Sequence, residues 1–319
     1  MPKSLPEYLD WLDQRPNLIW PKPPATVPLK ATPYLKPLPE VKAVVWSIYG
    51  TLLHIDTGRL QHQHPQPLRM QIALQKTIDE FKMWASMSRK PGQPWEYMLQ
   101  IYNRIVDDLK MASTKRKGDL ISIDSSRIWT KVIERLGQKE YQYDVSLYGD
   151  IEQLAGKIAY YFHANLQGVA ANPNAADTIL RLAESGVRQG LLDDGQSFTV
   201  PQLMRALKAQ ADFTNSGRLF GPDTAAISYR WGVRKPSPTL FEHAVTMWEA
   251  LGLAPAQVLY VTHQLRDDLS AAKAFGFRTA LFAADKNLCQ FSSDDFKQPE
   301  LKPDRLMTDL KQIRALVSG

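Results

Sequence analysis

The 319-residue chain contains a single cysteine, Cys289, so it cannot form an internal disulfide, and the expected setting is a reducing, cytoplasmic one. No run approaches the ~18 consecutive apolar residues of a membrane span. The opening stretch MPKSLPEYLDWLDQRP has acids and prolines where a secretory leader has an apolar core. There is no internal repeat, and no low-complexity tract beyond a proline-rich beginning. These absences exclude a stapled mini-domain, a membrane-spanning chain and a solenoid.

What is present has ordinary globular composition: 44% apolar and 23% charged residues. The length suits about two domains, or one domain with a large insertion. Lysine and arginine number 39 against 33 acids, a net charge of +6 with pI ≈ 9.2. Such an excess favours a small anionic ligand, but it is spread along the chain. Only STKRKGD, 113–119, is dense. It has no interleaved aromatics, so it reads as a solvated loop and a nucleic-acid partner is not expected.

Residues 1–40 include WPKPPATVPLKATPYLKPLP. Proline fixes φ and donates no hydrogen bond, so this segment is expected to be an extended arm pinned by Trp11, Trp20 and Tyr34, or alternatively a site for a protein partner. The apolar run AVVW follows, then the turn around GTLLHID. Apolar residues next recur at helical spacing over 67–87, 94–112, 125–137 and 150–166, an all-helical insertion. From Asn172 onward short apolar strands alternate with helices, as in a parallel sheet covered on both faces. The expected division is an arm (1–40), a core (41–53 and 171–285), a helical cap (54–170) and a C-terminal tail (286–319).

In such sheets ligands bind beyond the carboxyl ends of the strands. The apolar runs end at Ser47 and Tyr49, at Asp193 and Asp194, and at Thr262 and His263, while Lys235 opens the helix at KPSPTLF. These residues are expected to share one crevice. His54, His62 and His64 could form a metal cluster, but an exposed HxH loop is the simpler expectation.

Four segments, SIYGT (47–51), LLDDGQ, GVRKPSPTLF and THQLRDD, resemble in order and spacing the motifs of the haloacid dehalogenase (HAD)-like hydrolase superfamily. The resemblance covers about residues 41–285 and implies an α/β fold, a Rossmann-like parallel core with an inserted all-helical cap. In that family the first-motif aspartate is the nucleophile. In its phosphatases a second aspartate acts as acid and base, and magnesium is held by the first aspartate and the fourth-motif acids. The resemblance puts Ser47 at the nucleophile position, Tyr49 at the acid/base position and His263 at the first fourth-motif acid. Asp268 alone remains of the metal shell, and Thr51, Asp193, Asp194 and Lys235 fall at substrate-binding positions. Tyr49 also matches the DxYGTL wording of the magnesium-independent 2-haloacid dehalogenases.

The substitutions remove what the chemistry needs. Serine has no carboxylate to attack with or to offer magnesium, histidine is a poor magnesium ligand, and Asp193 would repel an incoming dianion. Loss of a nucleophile costs on the order of 10⁶ in kcat. The expectation is a family member without aspartate-based catalysis, in a binding, regulatory or structural role, with no cofactor and with magnesium disfavoured. One alternative is an altered hydrolase acting on a small anion. The other is a serine hydrolase with Ser47 as nucleophile and His263 as base, although no GxSxG elbow surrounds Ser47. Lys235 is expected to pair with Asp193, Asp194 or Asp268.

Overall fold

The strand β1 (Ala43–Trp46) is buried at every residue, and its side chains alternate: Val44 and Trp46 enter one apolar layer, Ala43 and Val45 the other. A strand with no polar face requires cover on both sides, as in a parallel sheet flanked by helices. The computed structural model describes residues 1–87, 92–113, 115–213, 219–292 and 294–317.

Ahead of β1 lies α1 (Leu5–Asp13). After it come β2 (Leu53–Ile55), α2 (Pro67–Glu80), α3 (Pro94–Ala112), β3 (Leu120–Ile121), α4 (Ser125–Gly137), α5 (Val145–Tyr148), α6 (Ile151–Leu166) and β4 (Val169–Ala171). The alternating half comprises α7 (Ala175–Glu184), β5 (Arg188–Asp193), α8 (Thr199–Lys208), β6 (Ala225–Ile227), β7 (Val233–Arg234), α9 (Pro238–Ala250), β8 (Val258–Thr262), α10 (Ser270–Ala274), β9 (Arg278–Phe282) and β10 (Arg305–Met307). Six of these strands form one parallel sheet in the order β10-β9-β8-β1-β5-β6. With β1 between β5 and β8, the carboxyl ends of three strands lie side by side.

The helices between β2 and β4 build a second apolar core. Along α3 the buried residues Met98, Ile101, Tyr102, Ile105, Val106 and Leu109 recur every third or fourth position and make one face. Asp150 caps α6 by accepting from the Gln153 amide at 2.8 Å. The antiparallel pair β2 and β4 carries the chain out of the sheet and back.

Three expectations need correction. Residues 1–40 are not extended throughout. Ser4 and Glu7 form a capping box, Pro6 sits in the first turn, and Tyr8, Leu9 and Leu12 bury one face of α1 against the cap helices. The helix expected over 67–87 ends at Glu80, because Lys82 adopts φ 53 and Met83–Met87 continues as a 3₁₀ turn. Finally, 286–319 is no mere tail. Within it β10 adds the sheet's edge strand, and Leu310, Ile313, Leu316 and Val317 are buried under it.

Between α1 and β1 the arm is tied to both halves. Lys22 backbone lies against Gly168, and the Pro24 carbonyl accepts from His54 Nε2 at 2.5 Å. Farther on, Leu29 N donates to Ala284 O at 3.1 Å, Tyr34 N to Leu306 O at 2.9 Å and Leu38 N to Leu316 O at 2.8 Å.

Candidate functional site

At the end of β1 the chain turns back through Gly50, at φ 81, and this tight turn aims the amides of Ile48 and Tyr49 at the end of β5. They meet Asp193. Its Oδ2 accepts from Ile48 N at 2.6 Å and Tyr49 N at 2.8 Å. Its Oδ1 accepts from Asp194 N at 2.9 Å and Ser47 Oγ at 3.3 Å, and lies 2.7 Å from Lys235 Nζ. Three amides, a hydroxyl and an ammonium thus converge on one carboxylate, the donor set of an anion hole filled by the chain's own side chain.

The ammonium of Lys235 is shared with Asp268, whose Oδ2 is 2.7 Å away and also accepts from Thr262 Oγ1 at 2.6 Å and Tyr260 OH at 3.0 Å. Asp268 comes from the irregular turn Leu265–Leu269 that follows β8. Burial opposes the charge on Lys235, but Asp193 and Asp268 overcome it and hold the amine's pKa well above its usual range. Burial likewise raises Asp268, and the charge and hydrogen bond of Lys235 outweigh it and hold the carboxyl below its usual range.

His263 closes the top of this centre. A Cβ on Gly50 would lie 2.3 Å from its Cε1, and one on Gly58 2.3 Å from its Nε2, so the ring fits only between two glycines. Its amide donates to Thr51 Oγ1 at 3.1 Å. Burial, with Lys235 and Arg59 adding to it against Asp268, lowers the imidazole to about 3. The ring is therefore neutral near pH 7 and adds no charge to the centre.

Beyond the ring lies a cleft of about 1130 Å³ between cap and core, lined by Arg59, Lys110, Lys115, Arg234, Asp194 and His263 among others. Ser47, Thr51, Asp193, Lys235 and Asp268 lie behind its wall, between 0% and 3% exposed. Of the residues expected in one crevice, only Asp194 and His263 face the cleft. Asp194 Oδ1 accepts from the Lys235 main-chain amide at 2.7 Å, and burial with the neighbouring Asp193 charge raises it to about 7 against the pull of Lys235. Tyr49 turns the other way: its hydroxyl lies 3.0 Å from Thr199 Oγ1 and donates to Gln202 Oε1 at 2.8 Å, and burial raises its pKa.

The Ser47–His263 dyad is not built, because the partners of Ser47 Oγ are Asp193 and, at 3.5 Å, Lys235. Nor is Lys235 a substitute base, since its two carboxylates keep it protonated. The HxH segment is not an exposed loop: His54 and His64 are buried, and among the described residues no group of three potential ligands could hold a metal. The residues of the centre do not fit magnesium. That ion needs an octahedral oxygen shell, whereas the position between Asp193 and Asp268 holds an ammonium and Asp193 is saturated by donors. Of the cleft's cations, Arg59 and Lys110 carried no motif, and Arg234 lies in the third motif segment beside Lys235 without having been singled out. They come from a turn after β2, from α3 and from β7.

The HAD-hydrolase-like family matches residues 232–313. Over 128 residues the chain is 30% identical to a glyceraldehyde 3-phosphate phosphatase of Pyrococcus abyssi, 40% of this chain and 48% of that protein, so the match spans about half of the relative's length. A 2-haloacid dehalogenase from Pseudomonas syringae pv. tomato has a similar fold, with TM-score 0.50 and 20% identity over 86% of this chain and 96% of the other. A HAD phosphatase from Thermococcus onnurineus matches the same shares at 16% identity and TM-score 0.45. With its parallel sheet and its four altered motif segments at the strand ends, the chain has the α/β fold of the HAD-like hydrolases, and its residues 232–313 match the HAD-hydrolase-like family.

Proposed function

We propose that this hydrolase-fold protein binds a small anion in its cleft and has lost aspartate-nucleophile catalysis. The observation that carries the reading is Asp193, a carboxylate held where two amides, Ser47 and Lys235 would otherwise receive an anion. A negative group entering that position meets a fixed negative charge in a desolvated site, which costs several kcal/mol at any effective dielectric near ~20. The outer cleft is different. Arg59, Lys110, Lys115 and Arg234 line it, and its cations support ligand binding without access to Ser47. The phosphatase named above makes small phosphate monoesters a reasonable probe class. The arm is engaged with its own chain from Lys3 to Leu38, which favours a wrapping role over a partner-binding one. Its single cysteine is buried and free, in keeping with a cytoplasmic setting; no described helix is long and apolar enough to cross a membrane.

A second reading is favoured by Asp194, which faces the cleft and titrates at about 7, where a general acid or base is most effective. On this reading the protein is an altered hydrolase that does not use Ser47. The test is turnover of a panel of phosphate monoesters and 2-haloacids by the wild type, Ser47→Ala and Asp194→Asn. No turnover supports the binding reading. Turnover indifferent to Ser47→Ala but abolished by Asp194→Asn supports the second, and turnover abolished by Ser47→Ala overturns both.

A further inference from the structure

Three arginines line the cleft: Arg59, Arg234 and Arg266. Two of them are already paired. The guanidinium of Arg59 donates to Gln264 Oε1 at 2.6 Å and pairs with Asp267, and that of Arg266 pairs with Asp295 at 2.8 Å. The side chain of Arg234 has no hydrogen-bond or ion-pair partner among the described residues. It is half-buried, and its charge is left to the cleft.

The main chain that carries Arg234 is held from both sides. In the antiparallel pair of β7 with β3, Leu120 stands opposite Arg234. Around that pair Ser122 N donates to Gly232 O at 2.8 Å, Leu120 N to Ser237 Oγ at 2.7 Å and Ser237 N to Arg234 O at 2.9 Å. On the core side Lys235 N donates to Asp194 Oδ1 at 2.7 Å. Farther along, Arg116 makes two bonds to Glu242, at 2.8 and 2.9 Å, and Thr239 Oγ1 donates to Asp119 Oδ2 at 2.6 Å. A guanidinium without a partner on a fixed strand is a preorganised donor, because little backbone order remains to be imposed when a ligand arrives. Its planar fork presents two parallel N–H groups, which match the two oxygens of one carboxylate or phosphate. Lys115 is also unpaired, but it is exposed on the segment leading into β3 and supplies charge without that geometry.

The neighbours of the fork narrow the ligand. Opposite residues of an antiparallel pair share a face, so Leu120 lies beside Arg234, and both line the cleft. Leu60, Ile121 and Ile123 line it as well, and its volume of about 1130 Å³ is far more than an inorganic ion fills. A cation next to an apolar wall suits a ligand with one charged end and an apolar remainder. We infer that Arg234 is the anchoring, specificity-determining residue of the cleft and that its ligand is a small amphipathic anion. A carboxylate or phosphate head sits on the guanidinium fork, and an apolar body lies along Leu120 and the wall beside it. This rests on the reading that the cleft binds an anion.

The test is calorimetric titration at pH 7.5 of the wild type, Arg234→Gln and Arg234→Lys with methyl phosphate, butyl phosphate, acetate and pentanoate. The side chain has no partner to lose, so both variants should fold. With whichever head binds, the wild type should hold the four-carbon body at least about fivefold more tightly than the one-carbon body. Arg234→Gln should weaken that binding at least about tenfold. Arg234→Lys should remain closer to the glutamine variant than to the wild type, because it restores the charge without the fork. The head that binds, phosphate or carboxylate, identifies the source of the anion. Equal affinities in the wild type and Arg234→Gln overturn the anchor and leave the anion cleft standing. A lysine variant as tight as the wild type shows that charge alone is read, and the fork assignment falls. Short and long bodies bound equally overturn the amphipathic class. Binding of none of the four overturns the cleft reading together with this one.

Discussion

The main-chain amide of Ile48 donates to Asp193 Oδ2 at 2.6 Å, so the end of β1 solvates a carboxylate from β5 instead of a ligand. The contact joins two neighbouring strands at the point where their carboxyl ends open toward the cap. It also explains why Ser47 is inaccessible, since the same carboxylate takes the serine hydroxyl and Lys235.

Emptying this hole should create a site. Asp193→Ser removes the internal charge but leaves the two amides and Lys235, and the variant should show a phosphate-dependent rise in melting temperature that the wild type lacks. The check is thermal unfolding with inorganic phosphate up to tens of millimolar. An unresponsive variant that is folded by circular dichroism would contradict the anion-hole interpretation.

Lys235→Met leaves two buried carboxylates without their shared cation and should destabilise the protein by about 3–5 kcal/mol. The loss should be smaller than the sum for Asp193→Ala and Asp268→Ala, each of which leaves Lys235 charged with one partner fewer. Urea unfolding at pH 7.5 gives all three values, and a loss below about 1 kcal/mol for Lys235→Met would mean the network contributes little.

Magnesium at millimolar concentration should not raise the melting temperature, because the ammonium sits between the two carboxylates that could hold the ion. A rise that disappears in Asp268→Asn would show that the ion displaces Lys235.

Acid should weaken the fold well above the usual carboxylate range. Burial lowers His62 to about 4 and His263 to about 3, and burial with the neighbouring His62 charge lowers His163 further still, so all three stay neutral in the folded chain and are protonated once unfolded below pH 6.5. Each therefore makes unfolding take up a proton, and its stabilisation is lost as pH falls. Asp194, raised to about 7, does the opposite over the same window. Three histidines against one carboxyl leave a net uptake of two protons, a decline of about 2.7 kcal/mol per pH unit between about 6 and 4.5. Asp194→Asn should steepen it. Urea midpoints across this range that stay flat would show that the histidines are not buried in neutral form.

Gly168→Ala should lift the arm without unfolding the core. The added Cβ would stand 2.2 Å from the carbonyl carbon of Lys22, which is main chain and cannot rotate aside. Limited proteolysis should then cut within 15–35 in the variant before the wild type. Identical cleavage patterns would show that the arm is not seated on Gly168.

The cap helices were legible because their apolar positions keep a strict three-four spacing, as in 94–112 and 125–137, whose bounds the structure reproduces. The sheet was legible because strands buried on both faces are plainly apolar. Other features depend on contacts distant in sequence. The helix α1 hides among prolines, and its apolar face is defined only by the cap it packs against. The strand β10 has three residues and ends after the motif-bearing region. The seat of His263 depends on Gly50 and Gly58, more than 200 residues earlier, and no local pattern announces that an imidazole will fill the space they leave. The four motif segments come together at the strand ends, but their wording could not tell that Asp193 would turn inward as an occupant while Asp194 faced the cleft.

The bridges from Tyr34 to Leu306 and from Leu38 to Leu316 join segments roughly 270 residues apart. During synthesis the arm is made well before its partners on the sheet edge, which follow only after the cap and most of the core. The segment 28–38 must therefore wait, unpaired, while cap and core are completed, and its docking closes a loop of roughly 270 residues. Its prolines suit that interval: a strand poor in amide donors is a weak template for pairing with other chains. The composition that makes the arm look irregular thus protects the nascent chain until its own edge strand arrives.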